Sequence, residues 1–350
     1  MWYPLLRSLL FRLPAESAHH WALQMLQWGA SSGLLPLFFR SPPACPVRVM
    51  GIDFPNPVGL AAGLDKNGEY LSGLSALGFG FIEIGTVTPK PQPGNPQPRL
   101  FRLPQSQALI NRMGFNNQGV DALVRRLETR RYSGILGINI GKNKDTPLDQ
   151  AAADYCLAFE KVYPHASYIV VNISSPNTQG LRELQSVNGL QELLQPLKDC
   201  QLRLSSVHGR LVPLVVKLAP DLADEALVEV AEALVALGAD GVIATNTTIT
   251  RPGLANVAAA QESGGLSGLP LRELALKKQN ILHQALAGRI PLIGVGGIMN
   301  AEDACIRYQA GADLLQIYTG FIYEGPALVQ RIVQAMVAAP MTRKLPSMGK

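Results

Sequence analysis

The sequence contains few charged residues and few cysteines. Charged side chains make up only 16% of its 350 residues, and the four cysteines are Cys45, Cys156, Cys200 and Cys305. No two cysteines form a CxxC pair and no two histidines form an HxxxH pair, which are spacings of common zinc sites. We therefore expect a protein of a reducing compartment, with no disulfide framework and no bound metal.

Basic clusters and nucleotide-binding loops are also missing. The net charge is +5, but lysines and arginines are scattered among acidic residues, so the sequence predicts no nucleic-acid surface. No Walker loop occurs, and Gly78-Phe79-Gly80 leads directly into a predicted strand, whereas a dinucleotide-binding fingerprint opens a helix. These absences disfavour both nucleic acid and a bound dinucleotide.

Long apolar runs are absent as well, although 47% of the residues are hydrophobic. The uncharged stretch at residues 17–39 is interrupted by His19, His20 and Pro36, so it lacks the run of about 20 apolar residues that spans a bilayer. No basic segment precedes the first apolar residues and no clear cleavage site follows them, which argues against a signal peptide.

The first 40 residues are nevertheless rich in tryptophan and leucine. Pro4 and Pro14 are expected to bracket a short helix, and a second helix is expected over about residues 15–30, ending before Gly33 and Pro36. Such amphipathic helices are typical of membrane-surface anchors, and the alternative is a helical hairpin packed on the rest of the chain or on a second subunit. The tryptophans are Trp2, Trp21 and Trp28, and the expected apolar face of the second helix is Ala18, Ala22, Met25 and Leu26.

From about Val47 the pattern changes to short apolar runs separated by helical stretches. A hairpin is predicted at residues 47–54, and the helical stretches at residues 222–237 and 271–287 are followed by glycines where C-caps belong, Gly238 and Gly288. Alternating strands and helices predict a parallel sheet, and eight repeats predict a closed α/β fold, the (β/α)₈ TIM barrel. The eight runs are residues 58–62, 81–84, 135–139, 168–172, 214–217, 241–245, 292–295 and 314–318.

Polar residues and glycines stand at the carboxyl-terminal ends of these runs. We expect the barrel to span residues 41–340, between an extension at residues 1–40 and a tail at residues 341–350. Barrel enzymes build their active sites at the carboxyl-terminal face, so these residues predict one pocket. In order along the chain they are residues 62–66, 85–86, Asn139, Asn172, Lys217, residues 245–247, residues 296–297 and residues 318–320.

Two glycine-containing turns and two lysines indicate an anionic ligand. The turns at residues 294–298 and 318–320 follow consecutive late strands, where barrels often bind phosphate, although both could be simple tight turns. Lys66 and Lys217 end the first and fifth runs. A buried lysine needs an anion, which could be a reduced flavin or a carboxylate such as Asp65 or Asp221.

Amide side chains and one serine complete the predicted site. Five asparagines at strand ends and loops suit a planar polar ligand, because an amide both donates and accepts hydrogen bonds. The serines at residues 174–175 could provide a base, a substrate ligand or a turn residue, and their sequence surroundings alone favour the turn. The proline-rich stretch at residues 86–104 and residues 178–184 are expected to form a roof. The five asparagines are Asn111, Asn139, Asn172, Asn177 and Asn246.

Six motifs in order along nearly the whole chain resemble dihydroorotate dehydrogenase. The likeness is to the class 2 form, which is quinone-using, membrane-associated and of gamma-proteobacterial type. Class 1 enzymes have cysteine at the base position and lack the N-terminal helices, whereas this chain has Ser175 and the predicted helices. The motifs are GLDKNG at residues 63–68, GTVTP at 85–89, NRMGF at 111–115, VNISSPNT at 171–178, VKLAPD at 216–221 and GVGG at 294–297.

The resemblance implies a cofactor, a substrate and their binding residues. Ser175 would take a proton from C5 of dihydroorotate while C6 delivers hydride to N5 of the flavin, and Thr178 and Phe115 would shape the path of that proton. FMN would be held by Ala61, Ala62, Gly63, Leu64, Asp65, Lys66, Thr86, Asn139, Asn172, Lys217, Thr245, Gly268, Gly297, Tyr318 and Thr319. The substrate would contact Lys66, Asn111, Arg112, Met113, Gly114, Phe115, Asn172, Asn177, Asn246 and Thr247.

The resemblance also implies a location and partners. The extension would form an apolar entrance for a membrane quinone, on a monomer bound peripherally at the cytoplasmic face of the inner membrane, against its anionic surface. Three alternatives stay open from the residues alone: another FMN barrel with a different planar substrate, a non-redox phosphate-binding isomerase or lyase, and a membrane-bound scaffold protein.

Overall fold

The computed structural model describes residues 3–33, 35–129, 132–254 and 257–338, and its centre is a closed barrel of eight parallel strands. Each strand begins at the first residue of a predicted run; the last residue agrees for Tyr168–Asn172 and Leu292–Val295 and differs for the other six, most of all for Phe81–Val87. The predicted TIM barrel is therefore confirmed. The strands are β1 (Val58–Leu60), β2 (Phe81–Val87), β3 (Ile135–Ile140), β4 (Tyr168–Asn172), β5 (Leu214–Leu218), β6 (Gly241–Ala244), β7 (Leu292–Val295) and β8 (Leu314–Ile317), and β8 pairs with β1.

Helices surround this barrel and precede it. They are α1 (Tyr3–Leu10), α2 (Ala15–Ser31), α3 (Leu35–Phe38), α4 (Leu71–Ser75), α5 (Val120–Glu128), α6 (Ala151–Val162), α7 (Val187–His208), α8 (Asp224–Ala236), α9 (Arg272–Leu286), α10 (Ala301–Gln309), α11 (Thr319–Glu324) and α12 (Ala327–Ala338). Short 3₁₀ turns occupy Pro104–Ser106, Leu148–Gln150, Tyr163–His165, Leu181–Gln185, Ala258–Gln261 and Leu269–Leu271.

The two predicted glycine caps lie at equivalent positions after their helices. Gly238 follows the C-cap of α8 with φ 73°, and its N–H donates to the carbonyl of Val235 as in a Schellman motif. After α9 the C-cap Ala287 is itself left-handed, with φ 48°, and Gly288 follows it with φ 75°. The predictions for both glycines are therefore confirmed.

The core has two layers because each barrel strand is buried on both faces. One face of the strands packs against the surrounding helices, and the other fills the barrel interior with residues such as Phe81, Val215 and Ile293. The predicted hairpin is confirmed as Val47–Val49 paired with Ile52–Phe54. It closes the amino-terminal end of the barrel, where the rings of Phe54 and Phe81 lie 5.2 Å apart.

A three-stranded antiparallel sheet covers the opposite end. Ala108–Asn111 lies in its middle, between Leu100–Leu103 and Gly265–Gly268. The sequence predicts a roof in this region but not this sheet, because its third strand lies about 150 residues further along the chain. We name these three strands the roof sheet.

The N-terminal extension forms helices that contact the barrel on one side. Ala18, Leu23 and Gly29 are buried, whereas Met25 is 54% exposed, so the predicted apolar face is divided between the barrel and solvent. The helical structure also resumes at Leu35–Phe38, beyond the predicted end. Trp2 and the predicted tail lie outside the described residues.

The extension also leaves large apolar side chains in contact with solvent. They are Leu5, Leu9, Leu13, Trp21, Met25, Trp28 and Phe38, and we name them the outer apolar face. In the described ranges, no helix has the length and apolar character needed to cross a membrane.

Candidate active site

A cavity opens at the carboxyl-terminal ends of the barrel strands, beneath the roof sheet. Its empty volume is about 1200 Å³, including the open mouth. Residues at the ends of seven of the eight barrel strands reach it, and β3 contributes none. The predicted site residues that line it are Ala61, Ala62, Gly63, Lys66, Thr86, Asn111, Met113, Gly114, Phe115, Asn172, Ser175, Asn177, Lys217, Thr245, Asn246, Thr247, Gly268, Gly297, Tyr318 and Thr319.

Five predicted site residues lie behind this lining. Leu64 belongs to the hydrophobic core. The buried carboxylate of Asp65 accepts hydrogen bonds from the backbone N–H groups of Asn67, Glu69 and Tyr70, at 2.8–3.2 Å. Asp65 therefore fixes the turn that presents Lys66. The five are Leu64, Asp65, Arg112, Asn139 and Thr178.

Arg112 and Thr178 also support the lining from outside. The Arg112 guanidinium lies 4.5 Å from the ring centroid of Phe101 and pairs with Glu262 at 2.6 Å, which joins two parts of the roof. Thr178 is buried, and its carbonyl accepts a hydrogen bond from the N–H of Leu181. Their predicted roles in binding and proton transfer stay predictions.

Asn139 connects two residues that line the cavity. Its Oδ1 accepts hydrogen bonds from the Thr86 hydroxyl at 2.5 Å and from Asn172 Nδ2 at 3.1 Å, and its Nδ2 donates to Glu83 at 2.8 Å. All four side chains are buried. This network fixes which end of each amide faces the cavity.

A buried carboxylate lies in the barrel interior below the cavity. Glu83 accepts hydrogen bonds from Asn139, from the Tyr168 hydroxyl at 3.2 Å and from Nε2 of Gln316. Its charge acts on Lys217: burial lowers the pKa of Lys217, and Glu83 partly opposes that change. The carboxylate therefore helps to keep an ammonium group charged at the cavity wall.

Two buried oxygens at the cavity have no hydrogen-bond partner within the described part of the chain. They are Oε1 of Gln316 and the hydroxyl of Thr245. The amide of Gln316 cannot be turned over to pair this oxygen, because that would direct Oε1 at the Glu83 carboxylate. Unpaired buried oxygens are costly, so they indicate a polar ligand here.

An ion pair of either lysine with Asp65 or Asp221 is excluded, because both acids are bound to other groups. Asp65 is occupied by backbone N–H groups, and Asp221 pairs with Arg182 at 2.8 Å. In the described ranges Lys66 and Lys217 form no ion pair. Both ammonium groups are therefore available to an anionic ligand.

The N-terminal extension supplies part of the wall beside Lys66. Lys66 Nζ donates to the carbonyl of Gly63 at 3.0 Å, burial lowers its pKa to about 8, and Glu16 of α2 partly opposes that change. Glu16 is itself paired with Arg99 at 2.7 Å. His19 lines the cavity, and burial together with the charge of Lys66 lowers its pKa to about 3, so its imidazole is neutral.

The two predicted phosphate-binding turns adjoin each other. Gly297 has φ 72°, and a Cβ there would lie 2.2 Å from Cα of Arg272 at the start of α9. A Cβ on Gly320 would lie 2.2 Å from the carbonyl oxygen of Ile298. Only glycine allows this approach, which leaves backbone N–H groups at the wall of the cavity.

A buried arginine supports this cradle from behind. Arg307 donates to the carbonyls of Val295 and Ala244, both at 3.1 Å, and to Gly296 at 3.3 Å. Burial lowers the pKa of Arg307 to about 9, so it stays charged at neutral pH. It therefore joins the ends of β6 and β7 next to the cradle.

Amides and hydroxyls cluster on the opposite wall. Asn177 Nδ2 donates to the carbonyl of Asn111 at 3.2 Å, and Asn246 Nδ2 donates to the Ser174 hydroxyl at 2.9 Å. The Ser175 oxygen accepts a hydrogen bond from the N–H of Asn177 at 3.2 Å. Ser175 thus occupies a turn, as its local sequence favours, and also lines the cavity.

Several of the residues that line the cavity were not predicted from the sequence. The histidine comes from the extension, three residues come from the roof sheet, one from a 3₁₀ turn and one from an inward-facing position of β8. Strand alternation was a usable signal for Gln316, a polar residue inside an apolar run. The residues are His19, Leu100, Leu109, Ser267, Leu271 and Gln316.

Comparisons with known proteins agree with this arrangement. The family model described as dihydroorotate dehydrogenase matches residues 45–339. Proteins named dihydroorotate dehydrogenase (quinone) are similar to this chain: one from Azotobacter vinelandii is 56% identical over 96% of this chain and 97% of its own length. One from Neisseria meningitidis is 54% identical over 95% and 99%.

A solved structure gives the same result. The crystal structure of DHODH from Eimeria tenella in complex with ferulenol is 39% identical, with a TM-score of 0.84 over 91% of this chain and 90% of that one. The resemblance predicted from the six motifs is confirmed by these matches, which extend over nearly the full length. The chain belongs to the dihydroorotate dehydrogenase family.

Proposed function

We propose that this chain oxidises dihydroorotate to orotate, a step of pyrimidine biosynthesis, and passes the electrons through FMN to a membrane quinone. The relatives named dihydroorotate dehydrogenase (quinone) support the reaction and the acceptor. The observation that carries the proposal is the convergence of Lys66, Lys217 and Ser175 with the asparagines in one cavity.

The residues present fit FMN. Backbone N–H groups at Gly297, Thr319 and Gly320 form a cradle for its phosphate, without a Cβ in the way. The unpaired oxygens of Thr245 and Gln316 can accept hydrogen bonds from its polar groups. Bound FMN would supply the acceptor for the hydride that leaves C6 of the substrate.

Both lysines favour a negatively charged ring system. Lys217 lies on β5 in the cavity wall above Glu83, and Lys66 follows β1 on the opposite side of the barrel. A ring system gains negative charge when it is reduced, so a fixed ammonium beside the ring makes the reduction easier. Lys66 can also pair with the substrate carboxylate.

The opposite wall binds the substrate. Dihydroorotate carries a carboxylate and an imide edge, which need donors and acceptors in one plane. Asn111, Asn177, Asn246 and Thr247 offer both, and their amide orientations are partly fixed by bonds to backbone and to Ser174. Met113 and Phe115 supply apolar contact beside them.

Ser175 takes the proton that C5 releases. An alcohol is a weak base, so its oxygen needs stabilisation as it loses its own proton. The N–H of Asn177 donates to that oxygen at 3.2 Å and stabilises negative charge there. We place the onward path of the proton past Phe115 and Thr178, both of which are buried beside this turn.

The extension brings the protein to the quinone. Its outer apolar face is suited to insert into the boundary of a membrane, and the exposed Arg12 and Arg40 suit an anionic surface. We propose peripheral attachment at the cytoplasmic face of the inner membrane and a monomeric enzyme. His19 lines the cavity from α2, so a quinone that enters along the extension reaches the cofactor cavity.

The test uses the purified full-length chain in two anaerobic steps. The proposal predicts a yellow protein whose flavin absorbance is bleached by dihydroorotate and restored by a quinone. A colourless preparation that does not bind added FMN would refute the redox function. A yellow protein that dihydroorotate does not bleach would instead point to a different planar substrate.

A further inference from the structure

One arginine outside the cavity joins the loops that follow three consecutive barrel strands. Arg182 lies in the 3₁₀ turn Leu181–Gln185, and its side chain is 22% exposed. Nε donates to the carbonyl of Ser174 at 3.1 Å, Nη2 donates to the carbonyl of Thr247 at 3.1 Å, and Nη1 pairs with Asp221 at 2.8 Å. These acceptors follow β4, β6 and β5, respectively.

Two of these contacts fix peptide groups next to functional residues. The carbonyl of Ser174 shares a rigid peptide plane with the nitrogen of Ser175, so holding that oxygen orients the start of the proposed base. The carbonyl of Thr247 ends the pair Asn246-Thr247, which lines the substrate wall. One cation therefore sets the position of the base relative to the substrate contacts.

The third contact anchors the arginine itself. Asp221 is 12% exposed and also accepts hydrogen bonds from the Thr248 hydroxyl and from the N–H of Ile249 at 3.3 Å. The acid thereby holds both the guanidinium and the segment just after Thr247. The three nitrogens of the planar guanidinium each serve a different loop, whereas the three donors of a lysine share one nitrogen and do not match this arrangement.

A second chain of hydrogen bonds joins the same loops inside the cavity wall. The Ser174 hydroxyl donates to Asn172 Oδ1 and accepts from Asn246 Nδ2, both at 2.9 Å. This chain positions side chains, whereas the Arg182 contacts position the backbone. The two sets of contacts meet at Ser174.

We propose that Arg182 is a positioning residue for the reductive half of the reaction. It holds the Ser175 turn and the Asn246-Thr247 loop at the separation that proton removal from the bound substrate requires. This inference rests on the proposed function and predicts that Arg182 has no part in cofactor binding or in electron transfer to quinone.

The test compares Arg182→Met with Arg210→Met in the FMN-loaded full chain. Arg210 is a matched control, since it donates to the carbonyls of Tyr163, Pro164 and Ala166 at the amino-terminal end of the barrel. In Arg182→Met, flavin reduction at saturating dihydroorotate should slow by about tenfold to 100-fold, because small misplacements of reacting groups have effects of that size. Binding of orotate, followed through the flavin spectrum, should weaken as well.

Reoxidation by quinone and retention of FMN should match the wild type in both variants, and Arg210→Met should be reduced at the wild-type rate. Arg182→Lys should stay within about threefold of Arg182→Met, because a lysine keeps the charge but not the fork. Should Arg182→Met not fold, Asp221→Asn weakens the anchor and should give a smaller slowing of the same step.

Three results would overturn the inference: wild-type reduction in Arg182→Met (or in Asp221→Asn, if that variant is used), full recovery with lysine, or equal slowing in Arg210→Met. These differ from failure of the proposed function, in which dihydroorotate would not reduce even the wild-type flavin.

Discussion

The barrel and the N-terminal extension use amphipathic helices in opposite ways. Helix α8 directs Leu227, Val230 and Leu234 into the core. Helix α2 buries mainly small residues, while Trp21 and Trp28 are 58% and 71% exposed. A helix whose apolar residues lie on both faces has one partner in its own chain and needs a second, which for this extension is a membrane surface in our proposal.

The two regions also differ in how they are held. The extension places Leu23 in the core and adds polar contacts with the barrel: the Glu16–Arg99 pair, the hydrogen bond from the N–H of Gly73 to Gln27 at 3.0 Å, and that from Arg7 to the carbonyl of Tyr323 at 2.5 Å. The barrel is held by continuous apolar burial. Chemistry and membrane attachment should therefore be separable by mutation.

The largest expected effect is confined to the barrel. Ser175→Ala should slow flavin reduction by dihydroorotate by at least about 100-fold, since general-base catalysis contributes on that scale. FMN binding and vesicle binding should be unchanged. Anaerobic stopped-flow absorbance checks the rate, with Ser205→Ala on α7 as the control. Unchanged reduction would remove Ser175 from the mechanism.

Glu16→Ala removes an ion pair that joins the extension to the barrel. Breaking a buried ion pair leaves Arg99 uncompensated and should lower the free energy of unfolding by roughly 3 kcal/mol. Both side chains of the pair are at most 14% exposed. Urea denaturation measures the loss. Glu232→Ala removes the exposed pair with Arg289 and should cost much less, so equal losses would contradict the account.

Lys217→Met changes a residue of the cavity wall and leaves the extension unchanged. It removes an ammonium beside the proposed ring and should weaken FMN retention by about tenfold or lower the flavin potential. Fluorescence titration of the flavin-free protein and a redox titration measure the two effects. If neither changes, the lysine has a structural role.

The smallest expected effect is a pH dependence of orotate binding. It arises from Lys66, which lies where the extension meets the barrel. With a pKa of about 8 in the unliganded cavity, its ammonium is lost as pH rises through 8, so orotate should bind up to about tenfold more weakly per pH unit above it. The unfolded chain keeps this proton up to pH 10.5, so between these values the ligand-free fold gains stability as pH rises. A similar pH dependence in Lys66→Met would refute the assignment.

The barrel was predictable because its signals are local. Each strand is a short apolar run, and the residues that end these runs, such as Asn172 and Lys217, meet because parallel strands bring their ends together. Gly297 and Gly320 could be recognised from the sequence as positions where the backbone can be approached closely. Motif likeness then supplied the proposed role of Ser175, which its turn-like surroundings did not suggest.

Features that depend on distant partners were not predictable. The roof sheet pairs Ala108–Asn111 with Gly265–Gly268, and no local pattern encodes that choice. Arg182 and Glu83 act through contacts across the barrel. On α2 the spacing was right, but local sequence did not distinguish the apolar residues that face the barrel, such as Leu23, from those that face solvent, such as Met25.

The most direct test of the division between chemistry and membrane attachment follows both half-reactions in the double variant Trp21→Glu/Trp28→Glu. Both side chains are exposed, so the fold should be kept. The account predicts wild-type bleaching by dihydroorotate and wild-type reoxidation by a soluble short-chain quinone, with reoxidation by a long-tailed quinone in anionic vesicles slowed at least tenfold. Reoxidation from vesicles at the wild-type rate would contradict it.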